Sequence, residues 1–202
     1  MKYKLFYLLL TALLFTGCSQ TTDDNLSNHK SQKSTTDTST ESSAATQESS
    51  QETEEPFVLN FEAMTIEGEE VTSDIFANSR LTMLNVWATY CNPCLSEMPD
   101  LGEIASEYDP ETFQMYGIIS DVMEGDETDK INEAKELIAQ TKADYPHLLL
   151  NQSLYSNLVS GVSGVPTTFF FNQESELLGY LVGAQSKDTW VAIIEDLLSQ
   201  MD

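Results

Sequence analysis

Cys91-Asn92-Pro93-Cys94 holds the side chains in this sequence best suited to covalent chemistry. Two cysteines two residues apart, at the point where an apolar strand pattern runs into a helical one, have the arrangement of a redox-active dithiol. At a helix N-terminus the Cys91 thiol faces unpaired amides and the positive end of the helix dipole, which favour its thiolate. Cys94 sits one turn further in and is more covered. Cys91 is therefore the candidate nucleophile and Cys94 the candidate resolving thiol. Attack of Cys91 on a disulfide leaves a mixed disulfide, which Cys94 displaces. The intervening Asn92-Pro93 brings no positive charge, and the many acids around the pair raise a thiol's pKa, so the couple leans toward a reductant.

Cys18 is the only other cysteine, and its context differs. Residues 1–17 carry Lys2 and Lys4, then an apolar run too short to span a bilayer comfortably, and end in Gly17; this reads as an export signal. A small residue directly before Cys18 resembles the bacterial lipobox, although Phe15 stands where leucine is usual. The resemblance implies lipidation of Cys18, with chains enough for stable anchoring. Residues 19–55 hold seventeen Ser or Thr, no Phe, Tyr or Trp, and Leu26 as their one large aliphatic side chain. Such a segment cannot bury enough surface to offset the entropy of ordering, so residues 18–55 are expected to form a flexible acidic tether reaching roughly 35 Å or more. With Cys18 assigned to lipid, the exported part keeps a single cysteine pair and no structural disulfide framework.

The whole chain has a net charge of −24, and the imbalance persists in the remainder, where residues 56–202 contain five bases against twenty-five acids. Nucleic acid is excluded as a partner, because phosphate binding needs a basic surface, and anionic lipid is equally unsuited to direct binding.

From residue 57 the pattern is that of one packed domain. Short strands are expected at residues 57–61, around a hairpin turning at Gly68, and at 81–87, 115–120 and 147–150. Helices are expected at 93–108, with Pro99 inside it as a source of kinking, at 130–141, 154–159 and 187–201. Residues 167–171 and 177–182 are joined by too few residues for a crossover and form a hairpin. The order predicts an α/β fold with a central mixed sheet flanked by helices and an N-terminal strand and hairpin extension.

The stretch from Leu84 to Pro99, with Val165-Pro166-Thr167-Thr168 some seventy residues later, resembles the thioredoxin-like superfamily, and within it the TlpA/ResA-type extracytoplasmic thiol-disulfide oxidoreductases. The likeness covers roughly residues 57–200 and implies a thioredoxin-like fold. It implies that Pro166 is cis and faces the dithiol, and that the backbone of Val165 pairs with an extended substrate. Glu97 matches a glutamate associated with dithiol proton chemistry, which makes it a candidate proton acceptor for Cys94; a solvated helix-surface role is the alternative. Asn85 stands where thioredoxin carries a buried acid, and its amide cannot transfer a proton. Trp87 is a candidate substrate contact at the end of its strand, or simply packs there with Tyr90. No cofactor and no metal are expected. The implied partners are thiols or disulfides of exported proteins, with a membrane thiol carrier as electron donor.

Three other activities compete. A thiol oxidase that installs disulfides would use the same residues with the opposite electron flow. A peroxidase typically needs a Thr-x-x-Cys centre with a supporting arginine, whereas Thr89 is two before Cys91 and Arg80 is the sole arginine. A soft-metal site would need a histidine beside the two thiolates. His147 is the sole candidate in the domain and is expected to be an ordinary strand-edge residue.

Overall fold

The computed structural model describes residues 56–201. The expected export signal, Cys18 and the tether lie outside the described residues. In chain order the elements are β1 (Glu62–Met64), β2 (Glu70–Thr72), a 3-10 turn (Ser73–Asn78), β3 (Leu81–Trp87), α1 (Asn92–Glu107) and β4 (Phe113–Met123). There follow α2 (Thr128–Thr141), β5 (His147–Leu150), α3 (Gln152–Asn157), β6 (Thr167–Phe171), β7 (Leu177–Val182) and α4 (Lys187–Gln200).

A five-stranded sheet in the order β5-β4-β3-β6-β7 forms the centre, with β3–β4 and β4–β5 parallel and β3–β6 and β6–β7 antiparallel. The mixed directions follow from the connections: α1 and α2 carry the chain across parallel neighbours, whereas β6 and β7 are joined by a hairpin too short for anything but reversal. β3 is buried along its whole length, as a central strand covered on both faces must be. On one face Leu81, Met83 and Trp87 pack with Met98, Leu101 and Ile104 of α1, Ala134 of α2 and Trp190 and Ile194 of α4. On the other, Leu84 and Val86 pack with Phe76, Phe169, Phe171, Leu154 and the N-terminal Leu59 and Phe61. β1 and β2 form the separate hairpin expected about Gly68, whose φ of +91° suits glycine.

Several boundaries differ from the sequence pattern for identifiable reasons. Residues 57–61 do not form a strand; Val58 makes one isolated bridge to Glu176, because this segment meets only the turn before β7 and its first residue. β4 runs from Phe113 to Met123 rather than 115–120, extended by pairing with β3 from Phe113 and by a Met123–Leu150 pair beyond a register shift. α2 begins at Thr128, and α3 is capped by the Asn151 side chain, which accepts from Leu154 N at 3.0 Å. Pro99 lies inside α1, where it removes the amide that would bond the carbonyl of Leu95.

His147 stands on an edge strand, as expected, but is buried there, only 2% exposed. Nδ1 accepts from Trp87 Nε1 at 3.1 Å, and Nε2 lies 3.1 Å from the carbonyl oxygen of Ala143. Burial pushes its pKa down to about 4, so the ring is neutral, with Nε2 donating and Nδ1 accepting. Gly117 makes this pairing possible, since a Cβ there would overlap His147 Nδ1 and crowd Trp87 Nε1. Gly117→Ala is accordingly expected to destabilise the fold by about 1–3 kcal/mol, the usual range for overpacking a rigid core. Urea denaturation of the two proteins measures it, and an unchanged midpoint would refute this account of the glycine.

Candidate functional site

The site is assembled where β3 ends and α1 begins. Cys91 is the N-cap of α1, and its Sγ accepts from the amide of Cys94 at 3.2 Å. The helix thus aims an unpaired N–H at this sulfur, the arrangement that stabilises a thiolate once the pair is reduced. Cys91 and Cys94 are disulfide-bonded, with Cα atoms 5.3 Å apart. Cys91 is 6% exposed and Cys94 fully buried, so the order of covering expected from the helix start holds.

Thr89 secures the approach to the pair. Its amide donates to Asp121 Oδ1 at 3.0 Å and its hydroxyl to Oδ2 at 2.6 Å. Tyr90, which follows, is 73% exposed beside the cysteines. Opposite stands the loop before β6, where the Val165–Pro166 peptide is cis and the Val165 carbonyl oxygen lies 3.6 Å from Cys91 Sγ. The hydroxyl of Thr167 donates to Gly164 O at 2.6 Å and braces this loop.

Beneath the disulfide lies Glu97, one turn beyond Cys94 on α1 and 3% exposed. Its carboxylate is not a solvated surface group. Oε1 accepts from Asn85 Nδ2 at 3.2 Å, and Oε2 accepts from the amide of Gln185 at 3.0 Å and from Trp190 Nε1 at 3.3 Å. Burial raises its pKa above the ordinary 4.5, opposed by those three hydrogen bonds and aided by the charge of Asp100. Asn85 also donates to Thr168 Oγ1 at 2.9 Å, while its own Oδ1 has no partner. Burial likewise holds the Tyr145 phenol well above its usual range, reinforced by the Glu97 charge.

Among the sequence candidates, the structure brings together Cys91, Cys94, Glu97, Val165 and Pro166. Trp87 must be corrected: it has no exposed surface and spends its indole N–H on His147, so it packs the core and touches no substrate. Tyr90 is the exposed aromatic instead. With both ring nitrogens engaged in the interior, His147 is not placed to complete a metal site with the cysteines. Among the described residues no three His, Cys, Asp or Glu side chains converge on a common point. Sequence reasoning gave no role in the site to Asp121, Thr168, Gln185 or Trp190. Asn85 was the available signal, since an amide in an otherwise apolar buried strand requires polar partners from neighbouring elements.

A family model described as AhpC/TSA matches residues 56–178, more than half of the chain. The chain belongs to the AhpC/TSA family. The thiol-disulfide oxidoreductase ResA of Bacillus thuringiensis (strain Al Hakam) is 25% identical over 130 residues, 64% of this chain and 69% of its own length. The thiol:disulfide interchange protein HelX of Rhodobacter capsulatus is 25% identical over 122 residues, 60% of this chain and 63% of its own. Among solved structures, the pneumococcal exposed lipoprotein thioredoxin Etrx1 of Streptococcus pneumoniae strain TIGR4 aligns with a TM-score of 0.57 and 26% identity, over 68% of this chain and 98% of that one. A thioredoxin family thiol:disulfide interchange protein of Chlorobium tepidum TLS shares the fold with a TM-score of 0.58 at 22% identity, over 71% and 97%. The thioredoxin-like fold implied by the two motifs is therefore the fold of the family to which the chain belongs.

The raised pKa of Glu97 has a consequence for stability. The unfolded chain ionises this carboxyl at its ordinary value, so between that value and the raised folded one the folded state holds the extra proton. The stabilisation is complete below the unfolded pKa and is lost as pH rises through the folded pKa. Glu97→Gln removes that loss, and turning the Asn85 amide so that its unpartnered Oδ1 meets the new amide keeps a hydrogen bond between the two side chains. Urea midpoints from pH 4 to 8 are expected to fall less with pH for the variant than for the parent; parallel curves would contradict the assignment.

Proposed function

We propose that this protein is an extracytoplasmic, lipid-anchored thiol-disulfide oxidoreductase that reduces disulfides in exported proteins through Cys91 and Cys94. Thiol-disulfide exchange is the activity by which its relatives are named, and it acts on thiols and disulfides of proteins. The observation that carries the reading is the Cys91–Cys94 disulfide at the head of α1, with Cys91 capped by an amide and facing the Val165 carbonyl.

In the reduced protein, Cys91 acts as the nucleophile. Its thiolate attacks one sulfur of a substrate disulfide, forming a mixed disulfide and releasing the other substrate sulfur as a thiolate, which takes a proton from water. Cys94 then passes its proton to the Glu97 carboxylate and attacks Cys91 Sγ. The second substrate sulfur leaves as a thiolate, which takes a proton from water, and the intramolecular disulfide forms. Two electrons have moved from the dithiol to the substrate. A carboxyl with a raised pKa suits the proton transfer, since it binds a proton near neutral pH more readily than an exposed glutamate does. The backbone of Val165, presented by the cis-proline loop, is the place for an extended substrate segment to pair.

The direction of electron flow rests on the absence of a cation between the cysteines. A membrane thiol carrier would return the electrons. The anchor rests on the reading of residues 1–17 and Cys18 and on likeness to a protein described as an exposed lipoprotein. Among the described residues no helix is long and apolar enough to cross a membrane.

Two measurements test the reading. Cys94→Ala leaves the mixed disulfide unresolved, so turnover is expected to be abolished and disulfide-linked partners to accumulate on Cys91; recovery of none contradicts the mechanism. The reduction potential of the dithiol is expected at about −220 mV or below, whereas a value near −120 mV, typical of strong oxidants, would overturn the direction.

A further inference from the structure

The outer edge of β7 is only partly paired. The N-terminal segment covers its first residue, where Leu177 N donates to Phe57 O at 2.9 Å, and among the described residues no strand continues beyond that point. Gly183 N donates to Pro166 O at 2.8 Å. With the antiparallel alternation, the amides of Leu181 and Gly179 then point toward β6, while those of Val182 and Tyr180 point outward. The side chains of these two residues are 53% and 63% exposed and stand over an apolar groove of about 410 Å³, floored by Phe169 and Leu158 and walled by Val162 and Phe57.

The groove lies at the reactive end of the sheet. Val182 pairs with Thr167, and Thr167 pairs with Val86 at the end of β3 from which the chain runs to Cys91. Val162 and Ser163 line the groove just before Val165, whose carbonyl faces Cys91 Sγ. Charge sets this surface apart. In a domain with twenty-five acids, residues 158–186 carry only Glu174 and Glu176, beyond the far end of β7, and residues 88–96 around the cysteines carry none. Depletion of charge around exposed aromatic and aliphatic side chains marks the core of a protein interface.

We infer that the β7 edge and its groove dock an extended, uncharged segment of the client polypeptide, hydrogen-bonded to Tyr180 and Val182 and anchored by one large apolar side chain. The open edge from Leu178 to Val182 spans about 13 Å at ordinary strand rise, which puts the anchor about four to six residues from the client's disulfide cysteine. Other occupants fit less well. Residues 19–55 of this chain have no Phe, Tyr or Trp to fill an apolar groove, and a second copy would bring together two domains of the same strong negative charge. The inference rests on the thiol-disulfide reading and names the client chemistry for it: unfolded or loop segments rather than folded acidic surfaces.

Docking is tested separately from redox chemistry with two uncharged ten-residue peptides, each carrying Ser in place of its cysteine and either Phe or Ser five residues away. NMR titration of the oxidised full chain is expected to give about tenfold tighter binding of the Phe peptide, as partial burial of one ring implies, with shifts at Tyr180, Val182 and Phe57. Tyr180→Ser and Val182→Ser should each narrow that ratio, and Tyr155→Ser, exposed elsewhere, should not. Equal binding of the two peptides overturns the inference. So does sedimentation showing a dimer of the full chain that Tyr180→Ser dissociates, which would assign the edge to a second copy. A parallel arm, exchange of the reduced chain with cysteine-containing versions of both peptides as glutathione mixed disulfides, tests the thiol-disulfide reading; its failure leaves the docking result standing.

Discussion

The position of the dithiol depends on how the carboxylate of Glu97 is satisfied. A charge taken out of water costs several kcal/mol unless donors replace the lost solvent. Here the donors come from three separate elements: Asn85 on β3, Gln185 before α4 and Trp190 on α4. Meeting that requirement fixes the rotation of α1 about its axis, because Glu97 must face the sheet. Cys94, three residues earlier on the same face, is then directed inward, while Cys91 at the helix cap stays at the rim. The same requirement ties the start of α4 to α1, where Asp100 accepts from the amide of Lys187 at 3.2 Å and the Lys187 ammonium reaches Glu103 and Glu107. Those last ion pairs are exposed and add little to stability, but they hold the register of two helices whose buried faces are already joined through Glu97.

Charge is segregated rather than spread. Acids populate β1, β2, α1's outer face and α2, whereas the surface around the cysteines, the cis-proline loop and β7 has nearly none. This division reconciles two demands on one molecule. A high net charge keeps the domain soluble and suppresses self-association, but an acid beside Cys91 would raise its pKa and oppose thiolate formation. Asp121 is the informative exception. Both of its carboxylate oxygens are occupied by Thr89, so its charge is used to hold the loop that leads into the cysteines.

Much of this arrangement was legible in the sequence, and the part that was not has a physical cause. The cysteines, the β6–β7 hairpin and the helix faces are local signals, each set by residue spacing within one element, whereas the cis geometry at Pro166 was legible only through the family resemblance. Partners that meet across elements were not legible. Thr168 reaches Asn85 only because β6 pairs antiparallel with β3 in one register, and Gln185 reaches Glu97 only because the chain after β7 turns back over α1. Trp87 was misread for a related reason: in a strand covered on both faces, alternation does not say which residues meet solvent. The burial of His147 was not legible, because an edge strand need not have exposed side chains when other elements cover its faces. The groove beside β7 was not legible because its lining, including Phe57, Leu158, Val162 and Phe169, comes from segments that only the fold brings together.

The burial of Cys94 constrains the proposed cycle more tightly than the cysteine spacing does. A thiol with no exposed surface cannot surrender its proton directly to water, so formation of the internal disulfide needs an acceptor inside the protein. Glu97 is the buried carboxylate one turn away, and its raised pKa brings it closer to a thiol's than an exposed glutamate's would be. Transfer from Cys94 moves the negative charge from the carboxylate to the sulfur without adding one, and attack on Cys91 then carries that charge out with the leaving thiolate. The interior therefore never holds two negative charges at once, which a low-dielectric site would strongly oppose. Asn85 suits this exchange: its amide donates to the ionised carboxylate as it stands, and its unpartnered Oδ1 would accept from the protonated one after a half-turn about its Cβ–Cγ bond. An aspartate at that position would add a second charge to the same pocket, so an amide here and a glutamate on α1 form one consistent choice for moving a proton with a pair of electrons.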